Sequence, residues 1–219
     1  MAERRMSESN ESKENGAKSN QDPLIKQSTD DEAPADLELL RDSTSPVSPT
    51  RDRIAIFIDG ANLFYAAVHL QIEIDYTKLL SQLVDGRRLL RPYFYTGVDR
   101  HNDKQQGFIL WLRRHGYRVI TKELIHMPDG SKKANVSVEM AVDMLSLANY
   151  CDTLILLSGD GDLSYVVNAI TYRGVKVELV SLRSMTNDNL INLADRFIDL
   201  ADIRDAISKG NNPNNTARN

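Results

Sequence analysis

Four aspartates occupy positions where one fold could use them together. Asp59 ends an apolar run, in Phe57-Ile58-Asp59-Gly60-Ala61-Asn62. Asp160 and Asp162 follow a second run, in Leu157-Ser158-Gly159-Asp160-Gly161-Asp162-Leu163, and Asp143 lies among apolar neighbours in Met140-Ala-Val-Asp143-Met144. Carboxylates gathered at one place repel, and each resists ionisation unless a cation sits among them. Ligation by oxygen alone selects Mg²⁺ or Mn²⁺. Asn62 adds a polar amide in the first turn after Asp59, and Lys132, Lys133, Arg113 and Arg114 are cations suited to phosphate contacts. A site holding a divalent metal through carboxylate oxygens is the chemistry these types favour. Each also has a plainer use: Asp-Gly is a common turn after a strand, Asp162 is a good helix N-cap, and basic pairs usually form a solvated face.

The elements that must position these residues alternate. Arg53–Ile58, Leu89–Val98, Tyr117–Ile125, Thr153–Leu157 and Val175–Val180 have the apolar character of strands. Between them, segments of helical period run over Ala61–Leu70, a short stretch capped by Asp75 or Thr77, Asp103–His115 ended by Gly116, Ser137–Asn149, Asp162–Tyr172 and Asn187–Ala194. Met127-Pro-Asp-Gly130 reads as a turn. Strands alternating with helices call for an α/β domain: a three-layer α/β/α sandwich around a mainly parallel sheet of about five strands. In such sheets ligands bind at the carboxyl ends of the strands. Asp59 and the Asp160–Asp162 pair fall at that edge, and Gly60, Gly159 and Gly161 are expected to take positive φ in its turns.

Composition bounds the rest. The chain has 219 residues, 41% of them hydrophobic and 26% charged, with net charge −4. Residues 1–50 hold 11 acids and 6 bases, leaving a nearly neutral 20 acids and 21 bases for residues 51–219. Residues 1–50 carry too little apolar surface to offset ordering, so they are expected to be an acidic, disordered N-terminal tail. Residues 51–208 form the domain and 209–219 a second polar tail. Leu37-Glu-Leu-Leu40 is the one island in the first tail suited to docking on a protein partner. The single Cys151 excludes an internal disulfide, and His69, His101, His115 and His126 lack metal-ligand spacing. No apolar run is long enough to span a membrane, and a cytoplasmic location is the expectation.

The motifs Ile-Phe-Ile-Asp59-Gly-Ala-Asn62-Leu-Phe, then Lys133 with the Val-Asp143-Met helix, then Leu-Leu-Ser-Gly-Asp160-Gly-Asp162-Leu resemble the NYN domain, specifically its LabA-like group. The resemblance covers roughly residues 52–205. It implies a compact PIN-like nuclease fold, a hydrolase whose acids bind Mg²⁺ or Mn²⁺, and single-stranded RNA as substrate. Asp59, Asp143, Asp160 and Asp162 are then both metal ligands and catalytic acids, and Asn62 orients substrate. Self-association is a further expectation. One departure stands out: where family members often carry another Asp after the Lys, this chain has Ser137, which can cap a helix but brings no charge. Glu139, one turn from Asp143, is the candidate substitute. The departure favours a second reading, a weak or inactive RNA- or protein-binding regulator such as the group's namesake in circadian output. A haloacid-dehalogenase-like phosphatase is disfavoured because Ala61 stands where that family needs a second acid.

Overall fold

A computed structural model describes residues 52–99, 102–126, 130 and 132–210, with the side chains of His126 and Lys132 outside the description. The expected N-terminal tail, its Leu37–Leu40 segment and most of the C-terminal tail lie outside the described residues. The elements are β1 (Arg53–Asp59), α1 (Gly60–Leu70), α2 (Tyr76–Val84), β2 (Arg88–Val98), α3 (Asp103–Arg114), β3 (Arg118–Glu123), β4 (Ile125–His126), β5 (Lys132–Lys133), α4 (Ser137–Leu147), β6 (Thr153–Leu157), α5 (Ser164–Thr171), β7 (Lys176–Ser181), α6 (Asp188–Leu193), β8 (Arg196–Asp199) and α7 (Arg204–Ile207).

Six strands form one parallel sheet in the order β3-β2-β1-β6-β7-β8. The sequence leads to about five; the sixth, β8, is only four residues long and carries no turn signal of its own. β4 and β5 pair separately and antiparallel, Ile125 opposite Lys133, around the expected Met127–Gly130 turn, whose first three residues are outside the description.

The layers follow from strand periodicity. Ile54, Ile56 and Ile58 of β1 face one way, into a core shared with Leu63, Leu79, Leu112 and Ile207 from α1, α2, α3 and α7. Ala55 and Phe57 face the other way, against Met140 and Met144 of α4, Val167 of α5 and Leu190 of α6. All five residues of β6 are buried, as a central parallel strand covered on both faces requires. Past α7, Ile74 and Ser208 form an isolated bridge and Lys209 N–H donates to Glu73 O at 2.8 Å. Among the described residues no helix is long and apolar enough to cross a membrane.

The strand order reverses direction once. From β1 the chain builds outward through β2 to β3; it then returns to β6, on the other flank of β1, and builds outward again through β7 to β8. The carboxyl ends of β1 and β6 therefore border the one topological switch point, where a crevice opens in folds of this kind.

Candidate functional site

Asp59 is the last residue of β1 and the N-cap of α1. Its Oδ1 accepts from the backbone N–H groups of Ala61 at 3.0 Å and Asn62 at 3.1 Å, as an N-cap carboxylate should. Its Oδ2 is left for Ser158, at the end of β6, whose hydroxyl donates at 3.3 Å. Burial pushes the Asp59 carboxyl above the ordinary aspartate range. The two amides and Ser158 oppose that shift, and the charge of Asp160 adds to it.

Asp160 repeats the pattern. Its Oδ1 accepts from Asp162 N–H at 3.0 Å, capping the short turn that precedes α5, while Oδ2 accepts from the Ser137 hydroxyl at 2.7 Å. Its own N–H donates to Ser158 Oγ at 3.2 Å. Fully buried Ser158 therefore ties Asp59 to the Asp160 turn, and Ser137 closes the chain from the first residue of α4. Sequence reasoning passed over Ser158 although it stands inside the quoted motif. The signal available was a hydroxyl directly after the apolar run Leu154–Leu157.

Asp143 is held elsewhere. The Tyr95 hydroxyl donates to its Oδ2 at 2.8 Å, and Tyr95 is the register partner of Asp59 on β2. Burial, reinforced by the Asp143 carboxylate, drives the Tyr95 phenol far above its ordinary value, so Tyr95 stays a donor. Asp162 lends its backbone N–H to Asp160 and keeps an exposed side chain. Glu139 does not stand in for the missing acid: its carboxylate pairs with Lys122 of β3 at 2.7 Å, which draws it below its ordinary value. The structure thus joins Asp59 and Asp160 and anchors Asp143 on a tyrosine. Among the described residues, no three or more of His, Cys, Asp and Glu are gathered to hold a metal ion.

The polar candidates divide in the same way. The Asn62 amide oxygen accepts from the buried Ser181 hydroxyl at the end of β7, 3.4 Å away, which keeps Asn62 at the crevice. Lys133 lines a cleft beside Gly60 and Ala61. Arg113 and Arg114 close α3 and do not line that cleft, which the helix borders through Asn102, Gln105, Phe108 and Ile109. The three site glycines do not take positive φ, contrary to expectation; those that do are Gly86, Gly116, Gly130 and Gly174. Space is what demands them. A Cβ on Gly60 would sit 2.6 Å from the Phe94 ring and 2.9 Å from Tyr95 O, and one on Gly159 would overlap the Met185 carbonyl oxygen.

Two carboxylates, one bonded to Ser158 and the other to Ser137, suit a hard cation that keeps most of its water. Mg²⁺ typically takes one or two protein carboxylates and completes its shell with water and substrate phosphate. The donor set is all oxygen. The residues fit such an ion with Asp59 and Asp160 as its holders.

The chain is similar to known proteins in sequence and in fold. The family model for the NYN domain matches residues 53–201. The Low amplitude and bright protein LabA of Synechococcus elongatus is 35% identical over 169 residues, covering 74% of this chain and 90% of that protein. A crystal structure of a protein of unknown function from Vibrio parahaemolyticus superposes with a TM-score of 0.64 at 29% identity, covering 74% of this chain and 99% of its own. The chain belongs to the NYN domain family, within the PIN-like nuclease superfamily. Domains of this family generally use divalent metals and bind RNA.

Proposed function

We propose that this NYN domain is a divalent-metal-dependent nuclease that hydrolyses phosphodiester bonds of single-stranded RNA at the crevice between β1 and β6. The observation that carries the proposal is the pair Asp59 and Asp160, joined through Ser158 at the switch point of the sheet. Asp59 and Asp160 hold the cation, Mg²⁺ or Mn²⁺. When bound, it supplies charge neutralisation at the phosphoryl group and activation of the attacking water.

The chain's own residues do the rest. Asp59 and Asp160 each commit one oxygen to backbone amides, which fixes the carboxylate planes before any ligand arrives. Asn62, held by Ser181, presents its amide N–H groups toward substrate. Lys133 offers the cleft a positive charge for a neighbouring phosphate. Asp143, oriented by the Tyr95 hydroxyl, acts behind the acid pair. A time course on labelled single-stranded RNA with Mn²⁺ tests the proposal: wild type cleaves and Asp59→Asn does not. Equal, slow loss of RNA in both samples sinks it.

Ser137 favours a second reading. A hydroxyl stands against Asp160 where relatives often carry an acid, and this suits a domain that binds RNA or protein without cutting. Calorimetric titration with Mn²⁺ separates the two. Absence of heat at millimolar metal supports the regulator.

A further inference from the structure

Beside the acid pair a cleft of about 780 Å³ opens between α1 and the end of β2. Gly60 and Ala61 form its near wall, and they are the residues that follow Asp59 into α1. Phe64 and Tyr65, one turn further along α1, flank it with rings that are 60% and 61% exposed. Their centroids lie 5.5 Å apart with planes 70° apart, so a flat ring can lie on one and abut the other. Polar groups stand across from them. Thr96 ends the buried part of β2, and Lys133 brings the cation. The Gln105 amide is locked by Asp99 N–H at 2.9 Å and Gly97 O at 2.8 Å, which makes that wall rigid.

We infer that this cleft is a nucleobase subsite, taking one unpaired base of the strand whose phosphodiester lies at Asp59 and Asp160. The inference rests on the phosphodiester reading above and adds to it where the neighbouring nucleoside goes. Continuity favours this occupant: Gly60 and Ala61, which follow Asp59 directly, line the cleft, so its near wall adjoins a phosphate held at Asp59. Adjacent exposed aromatic rings with a lysine opposite are the combination that stacks a base and holds its phosphate. A paired base has neither face free, so the subsite selects single strands.

The test uses the full chain in EDTA, where metal-dependent cleavage is barred, and fluorescence anisotropy with two labelled strands of about ten nucleotides, a range these sites commonly span. One is oligouridylate and the other an abasic ribose-phosphate of equal length. The expected result is about tenfold tighter binding of the base-bearing strand. Phe64→Ala and Tyr65→Ala each weaken that strand by about tenfold and leave the abasic strand unchanged, since the rings meet bases only. Both side chains are exposed, so circular dichroism of the variants matches wild type. Equal binding of the two strands, or variants that weaken both alike, overturns the subsite and leaves RNA cleavage in Mn²⁺ standing. Base-dependent binding without cleavage sinks the nuclease reading and keeps the subsite. Binding of neither strand overturns the subsite.

Discussion

The hydroxyl of Ser137 donates to Asp160 Oδ2 at 2.7 Å, from the first residue of one helix to the turn that opens another. That contact puts a neutral donor where a third carboxylate would complete the acid pair. It explains how the protein keeps Asp160 in place without adding charge.

Ser137→Asp therefore strengthens metal binding by about tenfold or more, an added charge-assisted ligand being worth at least 1.4 kcal/mol. Without metal the same variant melts about 2–4 °C lower per kcal/mol of new repulsion, and Mn²⁺ restores it. Titration calorimetry and thermal melts with and without Mn²⁺ check both halves. A variant with unchanged Mn²⁺ affinity contradicts the placement of Ser137 at the metal.

Asp59→Asn loses cleavage by at least about 100-fold, the usual scale for a group that organises transition-state charge, yet its melting temperature at pH 7 equals or exceeds wild type. Burial raises the folded Asp59 carboxyl above the unfolded value of about 3.9. The stability it contributes is full below that unfolded value and is lost as pH rises through the raised folded value. Asn keeps the N-cap and removes the ionisation. The gap between variant and wild type closes as pH falls toward 4, and Mn²⁺ raises the melting temperature of wild type only. Melts across pH 4–8 read this directly.

Ser158→Ala leaves the N–H of partly buried Asp160 without its acceptor. The cost is about 1–3 kcal/mol in urea unfolding. Cleavage falls more than stability alone accounts for, because Asp59 and Asp160 lose their common anchor. Assays at a temperature where the variant is fully folded separate the two effects.

Tyr95→Phe removes the hydroxyl that holds Asp143 while keeping the ring stack of Phe57 and Tyr95. Stability drops by about 0.5–1.5 kcal/mol. Its effect on kcat matches that of Asp143→Asn, and in the double variant the two losses do not add. Additive losses mean that Asp143 works independently of Tyr95.

Gly60→Ala destabilises by about 1–3 kcal/mol through overpacking, because the new methyl meets both the Phe94 ring and Tyr95 O. Pairing it with Phe94→Leu recovers part of the loss. Denaturant midpoints of the two variants show whether the ring is the obstacle.

Much of the fold was legible because β1 and β6 are apolar runs after their first residues, Arg53 and Thr153, and lead into Asp or Ser-Gly-Asp, so they read as buried strands without help. β8 was not, since Arg196-Phe-Ile-Asp199 is too short to show a period and is held by its register with β7. The acids themselves stood out by type and position. What they do to one another did not. Sequence gives Asp143 apolar neighbours, whereas its partner, Tyr95, comes from a strand 48 residues away. The same holds for Glu139, whose i, i+4 spacing from Asp143 is real but whose charge is claimed by Lys122 on another element. Glycines were found for the wrong reason: at Gly60 and Gly159 the constraint is another part of the chain pressing close, which no local pattern records.

Three of the four left-handed glycines among the described residues lie on the other rim. Gly86, Gly116 and Gly174 each sit just before a strand begins, ahead of β2, β3 and β7. Backbone geometry alone shapes those turns, and an added Cβ at any of them meets open space. The molecule therefore has one margin built by crowding and one built by torsion angles. An engineer can splice a fluorophore or a tether into the second, at Arg173–Gly174 for instance, and monitor the first undisturbed.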